Sequence, residues 1–143
     1  MSTPPPATRG ILDTSTVILL SRLESPEALP AEPLITTVTL AELSVGPLVT
    51  PDENERAARQ ARLQQAEADF EPLPFDADAA RAFGRVAASL RRAGRKTTAW
   101  AYDAMIAATA MARGLPLYTC NPADFAGLDE LEVVPVPHPD QPG

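Results

Sequence analysis

Apolar residues follow two periods along the chain, one typical of short buried strands and one typical of helices. Five short apolar or β-branched runs predict strands, and longer stretches with an apolar residue at every third or fourth position predict helices. Strands and helices alternate through most of the sequence, which is typical of a parallel sheet covered by helices. The predicted strands are 10–13, 34–38, 73–75, 117–120 and 132–136.

Capping residues, prolines and glycines predict where each helix begins and ends. The last predicted helix is almost entirely apolar, so we expect it at the centre of the domain. The predicted helices are 14–23 (capped by Thr14 or Ser15), 39–45 (capped by Thr39 and ended or bent by Gly46-Pro47), 51–68 (opened by the capping box Thr50-Pro51-Asp52-Glu53, with Pro51 at the first helical position), 76–93 (opened by Asp76 and stopped by Gly94) and 97–112 (capped by Thr97 or Thr98 and closed by Gly114).

Length and composition predict one soluble domain. A chain of 143 residues can bury a substantial core, and its single cysteine, Cys120, cannot form an internal disulfide. No apolar run approaches the ~20 residues of a membrane span, and the first ten residues lack the apolar segment of a secretion signal. We therefore expect a cytoplasmic protein with a disordered tail at 1–9, a folded domain at 10–137 and a C-terminal tail at 138–143.

Charge is unevenly distributed along the sequence. The formal net charge is −7, yet residues 79–102 contain six basic side chains and no acid. A basic segment beside an acidic pocket can hold a phosphate backbone while metal ions occupy the pocket. The alternative is a solvated helix face followed by a basic loop. The candidate phosphate-binding residues are Arg91, Arg92, Arg95 and Lys96.

Acidic or amide side chains follow several of the apolar runs. Asp13 ends the first predicted strand, Glu42 lies one helical turn beyond the second, and Asn121 and Asp124 follow the fourth. The carboxyl ends of parallel strands meet at one edge of a sheet, and Asp103 faces that edge if the central helix packs across it. Crowded carboxylates require a compensating cation, and oxygen ligands suit Mg²⁺ or Mn²⁺. The pattern predicts metal-assisted attack on a phosphodiester.

Each acid also has a purely structural interpretation. Asp13 could open the first helix, Glu42 could complete the capping box Thr39-Leu-Ala-Glu42, and Asp124 could cap a short helix. Asp103 differs because its neighbours are apolar, so we expect it to be largely buried, and no lysine or arginine lies within one helical turn of it. A metal ion or another active-site group is the simplest partner for Asp103.

Four stretches of the chain resemble the motifs of PIN-domain ribonucleases, and most closely those of VapC-type toxins from bacterial toxin–antitoxin modules. The resemblance covers 10–136 and implies a three-layer α/β fold with a central parallel sheet flanked by helices. It also implies a Mg²⁺- or Mn²⁺-dependent endoribonuclease, a cognate antitoxin that blocks the site, and a homodimer. The stretches are Leu12-Asp13-Thr14-Ser15, Thr39-Leu-Ala-Glu42-Leu, Asp103-Ala-Met-Ile-Ala-Ala-Thr-Ala110 and Thr119-Cys-Asn121-Pro-Ala-Asp124-Phe125.

The same resemblance implies a role for each matching position. One position departs from the family pattern, since Tyr102 stands where asparagine is frequent. The implied roles are core metal-binding acids for Asp13, Glu42 and Asp103, a fourth acid for Asp124, an alternative or additional ligand through water for Asn121, and support of the site by Ser15 and Thr119. The concentration of basic charge, independently of the resemblance, predicts contacts with the RNA backbone by Arg91, Arg92, Arg95 and Lys96.

Other classes fit less well. A receiver domain needs an acidic pair near the first strand and a late lysine, whereas Lys96, the only lysine, precedes Asp103. A haloacid-dehalogenase-type phosphatase needs a second aspartate two residues after the first, where this chain has Ser15. The only histidine, His138, lies in the proline-rich tail, which argues against histidine catalysis and a zinc site. A catalytically silent copy of the fold that only binds proteins stays open.

The first two predicted helices carry more apolar residues than one buried stripe requires. Such an apolar surface beside an acidic pocket suits an amphipathic antitoxin helix, whereas the alternative is that all of these residues belong to the core. The residues concerned are Val17, Ile18, Leu19, Leu20, Leu23, Leu43, Val45, Leu48 and Val49.

Overall fold

A parallel sheet forms the middle of the domain. The computed structural model describes residues 8–141, except for the side chains of 97–99. Within that range the strands are β1 (Arg9–Leu12), β2 (Glu32–Thr36), β3 (Pro72–Leu73), β4 (Leu117–Thr119) and β5 (Val133–Pro135). Their order across the sheet is β3-β2-β1-β4-β5, and every neighbouring pair is parallel. After β1, the chain adds β2 and β3 on one side of that strand and then returns to add β4 and β5 on the other side. The strand order therefore reverses between β1 and β4.

Helices connect most of the strands. They are α1 (Thr14–Leu19), α2 (Thr37–Val45), α3 (Glu53–Asp69), α4 (Ala77–Arg92) and α5 (Thr97–Arg113), with short 3-10 turns at Leu20–Arg22, Pro26–Ala28, Gly46–Leu48 and Pro122–Phe125.

Alternate residues of the strands enter two separate cores. On β1, Ile11 packs with the buried residues of α4 and α5, whereas Leu12 packs with α1, α2 and α3. On β4, Leu117 belongs to the first core and Tyr118 packs against the second. This alternation is the period of a strand that is covered on both faces. The predicted three-layer fold with a central parallel sheet is therefore confirmed. The apolar helix α5 supplies many buried residues of the first core, but it lies in the layer on one face of the sheet and not at the centre of the domain.

The boundary between β2 and α2 differs from the prediction. We expected a strand at 34–38 and a cap at Thr39, but α2 begins at Thr37 and its cap is Thr36, whose hydroxyl accepts from the Thr39 amide at 3.3 Å. Pro33, predicted as loop, lies in β2 beside Gly10. Proline fits there because β3 pairs only with the last two residues of β2, which leaves that side of the strand open at Pro33.

Two further helix caps differ from the predicted helix starts. Asp13 caps α1 in place of Thr14 or Ser15, which confirms its structural interpretation as the residue that opens this helix, and Asp52, not Thr50, caps α3 by accepting from the Glu55 amide at 2.9 Å. Both aspartates have the extended backbone of an N-cap residue. The predicted cap of α4, Asp76, is confirmed.

The first helical residue of α5 is Thr97, preceded by Lys96, and the side chains of the predicted caps Thr97 and Thr98 lie outside the described part of the chain. The predicted stops at Gly94 and Gly114 follow the ends of α4 and α5.

The two predicted tails are only partly covered. Residues 1–7 and 142–143 lie outside the described residues, whereas Arg9, predicted as tail, is the first residue of β1. Near the other end, Asp140 pairs with Arg22. Among the helices described, none combines the length and the apolar character needed to cross a bilayer.

Glycine at position 10 gives a test of the packing between β1 and β4. A Cβ atom there would lie 2.5 Å from Cδ1 of the Tyr118 ring, so the ring would have to move. We expect Gly10→Ala to lower the free energy of unfolding by about 1–3 kcal/mol. Gly84→Ala is the matched control, because nothing lies within 4 Å of the added methyl and alanine favours the α4 helix. Urea unfolding should show the two variants shifting in opposite directions.

Candidate active site

Asp13 lies at the carboxyl end of β1, where the strand order reverses. It is only 2 % exposed, and its Oδ2 accepts from the hydroxyls of Ser15 at 3.0 Å and Thr119 at 2.8 Å. Its Oδ1 accepts from the Thr16 amide at 3.2 Å and also from the Thr16 hydroxyl. Four donors therefore fix this carboxylate and stabilise its charge.

Residues at the end of β4 and directly after it lie on the other side of Asp13. Thr119, which donates to Asp13, also accepts from the Asn121 amide at 2.9 Å. The Asn121 side chain donates to the Ser15 hydroxyl at 2.9 Å, and the Cys120 amide donates to the Thr16 hydroxyl at 3.0 Å. These bonds join the ends of β1 and β4 and place Asn121 beside the supporting serine.

Glu42 is oriented from α2 by a chain of hydroxyl groups. Thr14 Oγ1 donates to Glu42 Oε1 at 2.6 Å and lies 3.0 Å from Thr39 Oγ1. Since the Thr14 proton is used on Glu42, Thr39 donates to Thr14. Burial raises the pKa of Glu42, the Thr14 hydrogen bond opposes that rise, and the charge of Asp13 adds to it. Glu42 is thus held at the site by Thr14.

The charges of the other acids act together on the pKa of Asp103. It is partly buried on α5, and its pKa is raised to about 7, first by burial and then by the charges of Asp124, Asp13 and Glu42. Arg95 is the one cation that acts in the opposite direction on this pKa. The four predicted acids are therefore electrostatic neighbours at one edge of the sheet.

These carboxylates do not form a closed cage. Asp124 is exposed on the Pro122–Phe125 turn, and Asp103 is partly buried rather than largely buried as expected. Among residues 8–141, no three acidic, histidine or cysteine side chains are grouped so as to hold a metal ion. The acids are near enough to repel one another and remain apart, as like charges do.

A protein-family model matches most of the chain. The family model described as PIN domain matches residues 11–131, which include all four acids. The chain belongs to the PIN-domain family.

Two proteins named as ribonucleases and one solved structure are similar to this chain over most of its length. The chain is 45 % identical over 131 residues to Ribonuclease VapC5 of Mycobacterium tuberculosis, covering 90 % of this chain and 93 % of that protein. It is 32 % identical over 130 residues to Ribonuclease VapC of Rickettsia bellii, covering 89 % and 96 %. A crystal structure of VapBC-5 from Mycobacterium tuberculosis, a member of the VapBC family of toxin–antitoxin systems, matches with a TM-score of 0.77 and 39 % identity, over 92 % of this chain and 100 % of that chain.

The structure of this PIN domain separates the six basic residues of 79–102. Arg81 pairs with Asp78, and Arg85 Nε lies 3.1 Å from a Glu130 carboxylate oxygen. Four of the six were predicted to bind the phosphate backbone. Three of those four, Arg91, Arg92 and Lys96, are exposed, whereas Arg95 is partly buried.

Sequence reasoning missed the threonines that support the acids in this PIN domain. Thr14, Thr16 and Thr39 are buried, and each contacts an acid or another supporting hydroxyl. The available signal was the density of threonine at the strand ends, in Asp13-Thr-Ser-Thr16 and Thr36-Thr-Val-Thr39. The predicted departure, Tyr102, is 55 % exposed.

The raised pKa of Asp103 predicts how pH acts on the ion-free PIN domain. Since the pKa of Asp103 is higher in the folded state, this acid destabilises the fold fully above about pH 7, and the effect disappears as the pH falls towards its ordinary pKa of 3.8. Asp103→Asn removes the charge, so we expect the variant to exceed the wild type in stability by more at pH 8 than at pH 5. Urea unfolding in EDTA measures this, and equal differences at both pH values would contradict it.

Proposed function

We propose that this protein is a metal-dependent endoribonuclease toxin that cleaves cellular RNA and is neutralised by a cognate antitoxin. The observation that carries the proposal is that Asp13 ends β1 where the strand order reverses and that several acids lie near it. Burial, followed by the charges of Asp124, Asp13 and Glu42, raises the pKa of Asp103 to about 7. Membership of the PIN-domain family and the names of the relatives, Ribonuclease VapC5 and Ribonuclease VapC, give the reaction class.

A divalent cation fits the chemistry of this donor set. The side chains at the site offer carboxylate and hydroxyl oxygens, which are the ligands that Mg²⁺ and Mn²⁺ prefer. Asp13, Glu42, Asp103 and Asp124 would hold the ion, and Asn121 would contribute directly or through water. When bound, the ion would neutralise the carboxylates, polarise the scissile phosphate and lower the pKa of water.

Catalysis by Cys120 or His138 is less well supported than hydrolysis by water. Burial, as the first cause, and the charge of Asp13 raise the pKa of the Cys120 thiol, against a hydrogen bond from Thr16, so the thiol stays protonated. His138 accepts from the Asp140 amide at 3.0 Å in the C-terminal segment. Hydrolysis by water at the carboxylate site requires neither residue. Asp13 provides a fixed carboxylate, and Glu42 is aimed by Thr14.

The RNA backbone would lie along the exposed basic residues near the end of α4. Arg91 and Arg92 are exposed in the last turn of that helix, and Lys96 is exposed just before α5. Contacts of this kind hold phosphates without reading bases. The ion pairs of Arg81 and Arg85 make these two arginines less suited to that role.

The proposed antitoxin surface lies beside Glu42. A cleft of about 350 Å³ is lined by Thr14, Ile18, Glu42 and Leu43 together with residues of α3. On the nearby Gly46–Leu48 turn, Leu48 is 83 % exposed. An apolar segment seated across this region would cover Glu42. The solved VapBC-5 neighbour is described as a member of a toxin–antitoxin family, which supports such a partner.

The residues of the predicted apolar surface differ in burial. Val17 and Leu43 are buried, and Leu20 packs against the same core, so these three serve the fold. Leu19 and Leu23 are partly buried. The exposed ones are Ile18, Val45, Leu48 and Val49. A homodimer and a cytoplasmic location stay predictions from sequence, and sedimentation velocity would measure the first.

Replacing single acids tests the proposed nuclease. Asp103→Asn and Glu42→Gln should each lower the rate of RNA cleavage about a hundredfold or more, because the ion loses a ligand that stabilises the transition state. Cleavage of total RNA in Mg²⁺ or Mn²⁺, followed by primer extension, measures the rate. Asp129→Asn is the matched control, since this exposed acid lies outside the cluster.

Metal binding gives an independent measurement. The wild type should melt at a higher temperature in millimolar Mn²⁺, since the ion binds only the folded state, and Asp103→Asn should lose most of that shift. Normal cleavage by both acid variants would overturn the proposed site. Metal binding without cleavage would favour the catalytically silent alternative.

Leu48 tests the antitoxin surface. Leu48→Glu places a charge on an apolar side chain that is 83 % exposed, so folding should be unaffected while antitoxin binding weakens about tenfold or more. Titration of the cognate antitoxin against RNA cleavage measures this. Ala80→Glu, at an exposed position of α4, is the control and should be inhibited normally. Equal inhibition of Leu48→Glu and wild type would exclude this surface.

A further inference from the structure

Arg95 differs in its contacts from the other basic residues of 79–102. The other five are exposed, whereas Arg95 is partly buried. Its Nη1 donates to the backbone carbonyl of Asp124 at 2.6 Å, a contact across 29 residues of sequence. By contrast, the Arg92 guanidinium donates within its own helix, to Ser89 Oγ at 3.2 Å. Arg95 therefore joins the corner between α4 and α5 to the turn that carries the fourth acid.

The backbone fixes where the Arg95 side chain begins. Gly94 has a φ of +76°, and the amides of Gly94 and Arg95 donate to the carbonyls of Arg91 and Leu90, each at 3.0 Å. This pair of bonds is the Schellman ending of a helix, in which a glycine adopts the left-handed conformation. Leu90 is 1 % exposed, so the corner is tied to the core and Arg95 has a rigid base.

The receiving turn lies against the same corner. After the Pro122–Phe125 turn, Gly127 has a φ of +91°, and a Cβ atom built there would lie 3.6 Å from Cβ of Ala93. Phe125 is 2 % exposed and anchors the turn in the core, whereas Asp124 is exposed. The turn is thus anchored at Phe125 and near Gly127, and Arg95 holds the Asp124 backbone between them.

The charge of Arg95 also matters at the cluster. Its guanidinium lies against the backbone of Asp124, one of the four acids of the cluster. A guanidinium placed among repelling carboxylates partly compensates their charge. The hydrogen bond with the carbonyl keeps that guanidinium in place without occupying the Asp124 carboxylate, which stays available for an ion.

We propose that Arg95 is a positioning residue, which holds the Asp124 turn at the carboxylate cluster, rather than one of the residues that bind the RNA backbone. The inference rests on the proposed nuclease function for its catalytic meaning, while the contact between Arg95 and the turn stands by itself. It separates Arg95 from Arg91, Arg92 and Lys96, with which the sequence groups it.

The test compares Arg95→Gln with Arg92→Gln in the full chain. Hydrogen exchange without metal comes first, and Arg95→Gln should speed exchange of the amides of 123–127 whereas Arg92→Gln should not. Titration with Mn²⁺ alone, followed by melting temperature, should show that Arg95→Gln needs about tenfold more metal. Anisotropy of a labelled single-stranded RNA in EDTA should show weaker binding for Arg92→Gln and little change for Arg95→Gln.

A double-mutant cycle with Asp124→Asn isolates the positioning role. If Arg95 acts through Asp124, Arg95→Gln should weaken Mn²⁺ binding much less in the Asp124→Asn background than in the wild type. Arg95→Lys keeps the charge and one donor, so it should recover part of the loss, and it serves in place of Arg95→Gln if that variant does not fold.

Each contrary result has a separate meaning. Tighter Mn²⁺ binding by Arg95→Gln would mean that Arg95 acts only as a repelling charge, and weaker RNA binding with unchanged exchange would return it to the RNA-binding group. Either result overturns the inference. Failure of the wild type to bind Mn²⁺ or cleave RNA would instead refute the proposed function, and the exchange measurement would still decide whether Arg95 holds the turn.

Discussion

Repulsion among Asp13, Glu42, Asp103 and Asp124 is the constraint that the surrounding contacts have to meet, and three of these acids are held by a different kind of contact. Four donors surround Asp13, one threonine hydroxyl aims Glu42, and Asp124 sits on a turn whose backbone is held by Arg95. Asp103 has the raised pKa because burial and its neighbours act on it with only Arg95 in opposition. The hydrogen bonds that support these acids therefore lie where their like charges repel one another.

Threonine suits this setting because its hydroxyl donates and accepts at once. Thr119 donates to Asp13 while it accepts from the Asn121 amide, and Thr16 donates to Asp13 while it accepts from the Cys120 amide. The same groups that stabilise a carboxylate therefore also satisfy the backbone where β4 ends. A change from threonine to valine at either position would keep the shape but remove one of the four donors of Asp13, and it would leave the amide of Asn121 or Cys120 without this acceptor.

The sequence predicted the layers and the acids better than it predicted the contacts between them. The apolar runs identify β1 and β4 because a strand that is buried on both faces requires such a run. They also identify Asp13, because a site in a parallel sheet lies where the strands end. The cap of α2 was placed at Thr39 rather than Thr36 because several neighbouring threonines can cap equally well, and only tertiary packing chooses between them. Arg95 could not be separated from Arg92, since its partner is a backbone carbonyl far along the chain.

Because the strand order reverses beside β1, the site is completed late during synthesis of the chain. Asp13 belongs to the first strand of the chain, but Thr119, one of its donors, arrives only with β4, after three helical connections between strands. Partial chains that contain β1, β2 and β3 hold two of the acids but lack one of the hydroxyls that fix Asp13. A cell making this protein therefore encounters a complete site only after almost the whole chain has been synthesised and β4 has paired with β1.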